Sequence, residues 1–398
     1  MQRTQTLAIP ERPHLVRLAQ AAHDRGVTGH AAPPPESASP SAKLVACGPA
    51  QRAEQALLYA ACFKKPLAER GLDWRYDELP HGPSVSFVTR EANGATVSGY
   101  ACSPRLAVSR GDDATAAVVG ETGDVMTHPD WRKRGYFSAL DRAAMAAARE
   151  RGWAFAFGLP NRKSAHIFLE LGWRRIGAVR PWTFVLRADA HARAWRRREG
   201  LLAALGVGLL ARRGRSRRAQ LARALAGLRA EPLTEFPREV ETLSREVEKR
   251  FDFMIRRSKA YLDWRFCRAP SRLHRSFALR DASGGLLGYV VVQLPRPGQP
   301  VGYLIDVLAR DDELVGAAIE AGLGELERAG ASVVEATAID GSWWRAQLER
   351  AGFGPPRSEN HLIVIQEPLQ PEHPLTLAAA DASKWCFTDG DRDDETMG

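Results

Sequence analysis

The 398-residue chain is 44% hydrophobic and carries a formal net charge of +9. That length allows two domains and a linker, and the composition is that of a folded chain, not a disordered or fibrous one. The charge does not describe a basic domain surface: residues 191–230 hold eleven Arg, no Lys and a single acid, Glu199, which leaves the rest of the chain near −1.

Cys47, Cys62, Cys102, Cys267 and Cys386 are odd in number, scattered and without a CxxC pair. This favours free thiols in a reducing cytoplasm over a disulfide framework or a zinc site, so no metal is expected. No long apolar h-region opens the sequence, and the longest apolar run, Leu201–Ala211, falls short of the ~20 residues a membrane span needs.

In chain order, residues 1–48 include the patch AAPPPESASPSA at 31–42 and read as a disordered tail. Gln51–Arg70 has helical spacing, with Ala56, Leu57, Tyr59, Ala60 and Phe63 on one side and a kink or stop expected at Pro66. Ser84–Arg90 and Thr96–Ser103 read as strands joined through Asn93-Gly94, a strong hairpin dipeptide. Ala114–Thr127 reads as the next strand, with Gly120 and Gly123 hinting at a bulge. A basic turn, Arg132-Lys133-Arg134-Gly135, hands over to an Ala-rich helix that stops near Gly152. Trp153–Gly158 is a buried strand, Ser164–Leu171 a short helix ending at Gly172, and Ile176–Arg187 one or two closing strands.

Residues 191–230 suggest one or two amphipathic helices broken near Gly214. They read either as a solvated linker or as a contact for a polyanion or a membrane surface. Beyond them the chain repeats itself. Leu72-Asp73-Trp74-Arg75-Tyr76 recurs as Leu262-Asp263-Trp264-Arg265-Phe266, Gly99-Tyr100 as Gly288-Tyr289, and Asp124-Val125 as Asp306-Val307. Leu169-Glu170 through Gly172-Trp173 recurs as Leu348-Glu349 through Gly352-Phe353. Matches in the same order imply two copies of one α/β unit. In the second copy Asp311, Asp312 and Glu313 stand where the first has Arg132–Arg134. The closing stretch, Lys384–Asp394, carries a Trp and a Phe that suit docking, then acids expected to stay in water.

The basic turn is where chemistry is expected. The first N–H groups of a helix are unpaired and its N-terminus is partly positive, so it seats phosphate. Gly135 lets the backbone approach closely, and Arg132, Lys133 and Arg134 add charge. The turn is therefore read as a pyrophosphate seat present in the first copy and lost in the second.

The spacing resembles the acyl-CoA motif R-x-x-G-x-G/A of the GNAT superfamily of N-acetyltransferases, with Arg132 and Gly135 matching and Phe137 in the last position. The stretch carrying Asn161, Ser164, Phe168, Gly172 and Trp173 resembles the GNAT element N-x-x-A-x-x-x-Y-x-x-x-G-F. The resemblance implies an α/β fold of two tandem GNAT-like units, each a mixed, strongly twisted sheet flanked by helices. The ranges are 49–188 for the acyl-CoA-binding unit, 189–231 for an Arg-rich linker or helices, 232–368 for a degenerate unit and 369–398 for a C-terminal tail.

It implies acetyl-CoA or another acyl-CoA as co-substrate. The backbone of Val125, Met126 and Thr127 pairs with its pantetheine arm. Arg132 and Lys133, and the amides of Arg134, Gly135, Tyr136, Phe137 and Ser138, hold its pyrophosphate, while Asn161 and Ser164 touch its far side. An attacking amine must be neutral, so a base is needed, directly or through water. Glu121, on the strand before the turn, is one candidate; Asp124 and His128 are the others. The family's proton-donating tyrosine aligns with Phe168, which leaves Tyr136 or water to protonate the thiolate, or an unassisted departure.

Plainer readings stand beside these. Asp124 recurs as Asp306 and suits an architectural role, His128 a turn, Asn161 a helix cap, and Trp74 and Trp264 core packing beside an Arg. The function expected is N-acetyl transfer to a small-molecule or sugar amine in the cytoplasm. The alternatives are a non-catalytic acyl-CoA sensor or scaffold and an aminoacyl-tRNA-dependent transferase.

Overall fold

The computed structural model describes residues 42–64, 69–197, 201–354 and 361–392. The strands are β1 (Lys43–Ala46), β2 (Val85–Arg90), β3 (Thr96–Ser109), β4 (Asp112–Thr127), β5 (Phe155–Gly158), β6 (Arg174–Val185), β7 (Arg229–Leu233), β8 (Phe253–Ile255), β9 (His274–Arg280), β10 (Leu286–Gln293), β11 (Val301–Ala309), β12 (Val333–Ile339), β13 (Leu362–Pro368) and β14 (Trp385–Cys386). The helices that matter here are α1 (Arg52–Phe63), α2 (Glu69–Tyr76), α3 (Tyr136–Glu150), α4 (Arg162–Glu170), α5 (Ala190–Arg196), α6 (Leu201–Leu205), α7 (Val207–Leu225), α8 (Glu239–Glu248), α9 (Lys259–Leu262), α10 (Asp312–Arg328) and α11 (Trp343–Ala351).

The local signals explain most of these elements. Gly94, at φ 84°, turns β2 into β3, and the Asn93 side chain accepts from the Ala95 amide at 3.0 Å. Gly152 (φ 74°) and Gly172 (φ 100°) end α3 and α4 in the left-handed conformation that glycine tolerates. The first helix stops at Phe63 with Lys64 left-handed; Pro66, the expected break, lies outside the described residues. Residues 1–41 of the expected tail also lie outside them, but Lys43–Ala46 is an edge strand paired antiparallel with β2. The tail reading was therefore too long, because a four-residue edge strand leaves too short a pattern to see.

One mixed sheet runs through both copies, in the order β1-β2-β3-β4-β5-β13-β6-β12-β11-β10-β9-β7. The centre is exchanged. The last strand of the first copy, β6, pairs antiparallel with β12 of the second, from Val333↔Val185 to Ile339↔Val179. The last strand of the second, β13, lies between β5 and β6. Each copy thus covers a sheet edge that the other leaves. A cut at residue 188 or 232 does not separate two closed sheets.

The matched tryptophans form the second contact between copies. Trp74 and Trp264 stack at 5.0 Å with 18° between planes. Each indole N–H donates to the other's backbone carbonyl, at 2.8 and 2.9 Å. The Arg265 guanidinium lies 5.8 Å from the Trp74 ring and that of Arg105 5.1 Å from the Trp264 ring.

The Arg-rich segment forms α5, α6 and α7. The break falls at Gly206, not at Gly214, which is buried inside α7. A Cβ at Gly214 would stand 2.8 Å from the Phe184 ring, so glycine there lets α7 press onto β6. Arg218 anchors the same helix to Glu320 and Glu327 of α10, each at 2.6 Å.

The C-terminal stretch also departs from expectation. Trp385 and Phe387 are buried, and so are Asp389 and Asp391. The carboxylates stay inside because each has partners: Asp391 with Arg257 at 2.5 Å, and Asp389 with the Thr337 amide at 2.6 Å.

A half-buried imidazole makes stability depend on pH. His274 packs edge-on against Phe266 at 5.4 Å, and its Nδ1 has no hydrogen-bond partner. Burial, with Arg265 nearby, pushes it down to about 3 from an ordinary 6.5. Between those values the unfolded chain takes a proton that the folded chain refuses. Stability is therefore expected to be complete above pH 6.5 and to fall as pH drops towards 3. Urea unfolding across that range should show this slope, and His274→Phe should make it shallower while His81, pushed down to about 4 by burial, keeps its share; an unchanged slope would refute the assignment.

Candidate active site

The site grows from the way β4 leaves β5. The two pair in parallel only over Gly120–Thr122, while β4 runs on to Thr127. Beyond Thr122 its β5-facing edge has no strand partner among the described residues. On its other edge β4 accommodates one extra residue between the pairs Ala101↔Gly123 and Gly99↔Met126. This is the bulge that the glycines hinted at, and it falls on Asp124, at φ 46°. A carboxylate can hold that left-handed turn here because Arg75 (2.6 Å) and the Tyr76 hydroxyl (2.5 Å) both donate to its Oδ2.

The splay opens a cavity of about 720 Å³. Val125, Met126 and Thr127 form one wall, Asn161, Ser164 and Phe168 the opposite one, and Arg132–Ser138 the end. The cavity thus brings together every residue that the resemblance gave to the co-substrate. Cys62 and Phe63 of α1 also line it, and sequence reasoning missed both, since α1 is far away in the chain.

At the end wall Lys133 (φ 64°) and Gly135 (φ 75°) are both left-handed. They turn the chain so that α3 starts with Gly135 as its N-cap and no side chain capping it. The first amides of a fifteen-residue helix therefore face the cavity end without an internal acceptor from a cap. Arg132, Lys133 and Arg134 are exposed around it, and the Arg134 guanidinium sits 4.5 Å over the Trp131 ring. An anionic group fits this cradle.

The second copy answers differently at each point. There α10 is capped by Asp311, whose Oδ1 accepts from the Leu314 amide at 2.8 Å. Asp312 is held by Trp343, Arg250 and Arg350. β11 and β12 also part, after Tyr303↔Glu335, but the C-terminal stretch fills the gap. Asp389 binds the β12 amide of Thr337, and Thr388 donates to Asp306 on β11 at 2.8 Å.

The catalytic candidates are scattered by the geometry. Glu121 points away from the cavity and is almost fully buried, paired with Arg105 at 2.6 Å. Its neighbour Thr122 lines the cavity instead, because successive strand residues face opposite ways. His128 begins a short turn, its Nδ1 accepting from the Asp130 amide at 3.4 Å, and it does not line the cavity. Tyr136 lines it only in part: its hydroxyl donates to the buried Glu91, and burial with that carboxylate raises the phenol above its ordinary value of 10. Asp124 alone among the candidate bases borders the cavity, held by Arg75 and Tyr76. Asn161 caps α4, its Oδ1 accepting from the Ser164 amide at 3.2 Å. Phe168 is wedged between Phe137 and Trp173, each at 5.0 Å.

This placement gives Glu121 a structural role. Glu121→Gln is expected to remove the buried carboxylate that pairs with Arg105 and to lower stability by ~3 kcal/mol. Urea midpoints measure this. A slower, pH-dependent reaction with no change in stability would instead return Glu121 to the mechanism.

The fold is GNAT-like, built here as two tandem units. Residues 50–176 match the family model for an acetyltransferase (GNAT) domain.

Solved structures agree on the fold. A probable N-acyltransferase from Enterococcus faecalis V583 superposes with a TM-score of 0.55 at 12% identity, over 84% of this chain and 74% of that one. A tandem GNAT protein from the clavulanic acid biosynthesis pathway gives 0.52 at 15% identity, over 83% and 99%. Saccharomyces cerevisiae N-myristoyltransferase with bound myristoyl-CoA gives 0.53 at 13% identity, over 84% of both chains. At these identities the likeness is one of fold. No curated protein sequence matches the chain.

Proposed function

We propose that this protein transfers an acyl group from acetyl-CoA to a primary amine, using the first copy alone. The uncapped N-terminus of α3 within a ring of three exposed cations carries the reading. The amides of Tyr136, Phe137 and Ser138 donate to the pyrophosphate, with Arg132, Lys133 and Arg134 around it. The free edge of β4 at Val125–Thr127 pairs with the pantetheine amides, and Asn161 and Ser164 close the other side. The acceptor nitrogen bonds to the thioester carbonyl carbon, the C–S bond breaks, and the electron pair leaves on the thiolate.

The amine's proton passes to water. Asp124, the carboxylate that lines the cavity, is already committed to an arginine and a tyrosine. The thiolate likewise takes its proton from water, since Phe168 has none to give and the Tyr136 hydroxyl is engaged by Glu91.

A second reading, an acyl-CoA sensor without turnover, is favoured by the engagement of Asp124 by Arg75 and Tyr76 and of the Tyr136 hydroxyl by Glu91. Calorimetric titration with acetyl-CoA, followed by thiol release across a panel of amines, separates the two. Binding with turnover supports the enzyme and binding without turnover supports the sensor. No binding at millimolar acetyl-CoA defeats both.

A further inference from the structure

We infer that the outward face of α6 and α7 docks the protein on an anionic membrane surface. Among the described residues, few large apolar side chains lie open to solvent, and three of them fall within nine residues here. Leu201, Leu205 and Leu209 are 66%, 71% and 75% exposed, at intervals of four. Four-residue spacing puts Leu201 and Leu205 on one face of α6, and Leu209 lies in the first turn of α7, just past Gly206. Farther along α7 the same face carries Arg212, Arg213 and Arg223, all exposed.

The inward face explains why these leucines stay open. Val207, Ala211 and Gly214 are buried, and Arg218 behind them is tied to Glu320 and Glu327. The helix is therefore already docked, and among the described residues nothing covers its outer leucines. Arg212, Arg213, Arg215 and Arg223 have no carboxylate within ion-pair distance among the described residues.

Leucines beside unpaired arginines match one kind of partner best. The leucines gain by entering the boundary between headgroups and acyl chains, and the guanidiniums pair with lipid phosphates. A nucleic acid would use the arginines but offers the leucines no apolar partner. A second copy meeting this face about a two-fold axis would bring arginines against arginines. The chain has no helix long and apolar enough to cross a membrane among the described residues, so the contact is peripheral.

The full chain should co-sediment with vesicles of phosphatidylcholine and phosphatidylglycerol, and not with phosphatidylcholine alone. Binding should weaken as salt is raised. Leu205→Ser with Leu209→Ser is expected to reduce vesicle partitioning by ~10-fold, in line with the apolar area lost. Arg212→Gln with Arg213→Gln should reduce it and blunt its salt dependence. All four residues are exposed, so the variants should keep the parent melting temperature. The inference is overturned by no binding to anionic vesicles, by equal binding of the leucine variant, by binding to RNA in place of vesicles, or by a leucine-dependent dimer that ignores them.

Discussion

Acetyl-CoA binding is expected to fall by at least ~100-fold when Gly135 is replaced by Asp together with Arg134 by Glu. Three losses coincide, and each hydrogen bond to a charged group is worth about 1.5–3 kcal/mol. A side chain at φ 75° is strained, so the turn that presents the α3 amides deforms. The new Asp can accept from the α3 amides as an N-cap, as Asp311 does in the second copy. Two carboxylates then stand where the co-substrate's own negative charge must sit. The second copy is a natural version of this change, with Asp311 and Asp312 at the equivalent turn. Calorimetry reads the affinity, and an unchanged melting temperature shows that the fold survives. Asp311→Ala is the control and should leave the affinity as it was. Undiminished binding in the double variant would remove the basic turn from the proposed function.

The second large effect is expected at Arg257, in the other half of the molecule. Its guanidinium is buried between Asp306, at 3.1 Å, and Asp391, at 2.5 Å, both also buried. It also donates to the Ile255 carbonyl at 2.9 Å. Arg257→Ala leaves two carboxylates without their shared cation, and removing one partner of a buried pair costs about 3–5 kcal/mol. The C-terminal stretch should loosen first, since Asp391 loses its anchor while Asp306 keeps the Tyr289 hydroxyl at 2.9 Å and Thr388. Arg257→Lys should recover only part, because one ammonium cannot span both carboxylates as a planar fork does. Urea unfolding measures the loss, and hydrogen exchange at 385–392 shows where it starts. Stability within about 0.5 kcal/mol of the parent would contradict the network.

The candidate cavity was legible in the sequence to the extent that its residues lie close together in the chain. Val125–Thr127, Arg132–Ser138 and Asn161–Ser164 fall within one strand–turn–helix–strand–helix unit, where local geometry sets position. Cys62 and Phe63 reach the same cavity from α1, and no local pattern announces that. Glu121 shows the opposite failure. It lies on the right strand, but a strand's alternation turns it to the other face, onto Arg105. Its neighbour Arg105 reads as an ordinary strand residue until Trp264 of the second copy is set beside it.

What the sequence by itself determined is the unit and its duplication. The turn glycines, the hairpin dipeptide, the basic turn and the matched Leu-Asp-Trp-Arg blocks are local, and the chemistry of a few adjacent residues suffices to read them. Only the tertiary structure decided how the copies join. The exchange of β6 and β13, the reciprocal bonds of Trp74 and Trp264, and the burial of Asp389 and Asp391 depend on partners 50 to 190 residues apart. An acid looks solvated until its distant amide or arginine is known, because the free energy of burying a charge is set by what it meets and not by its own side chain.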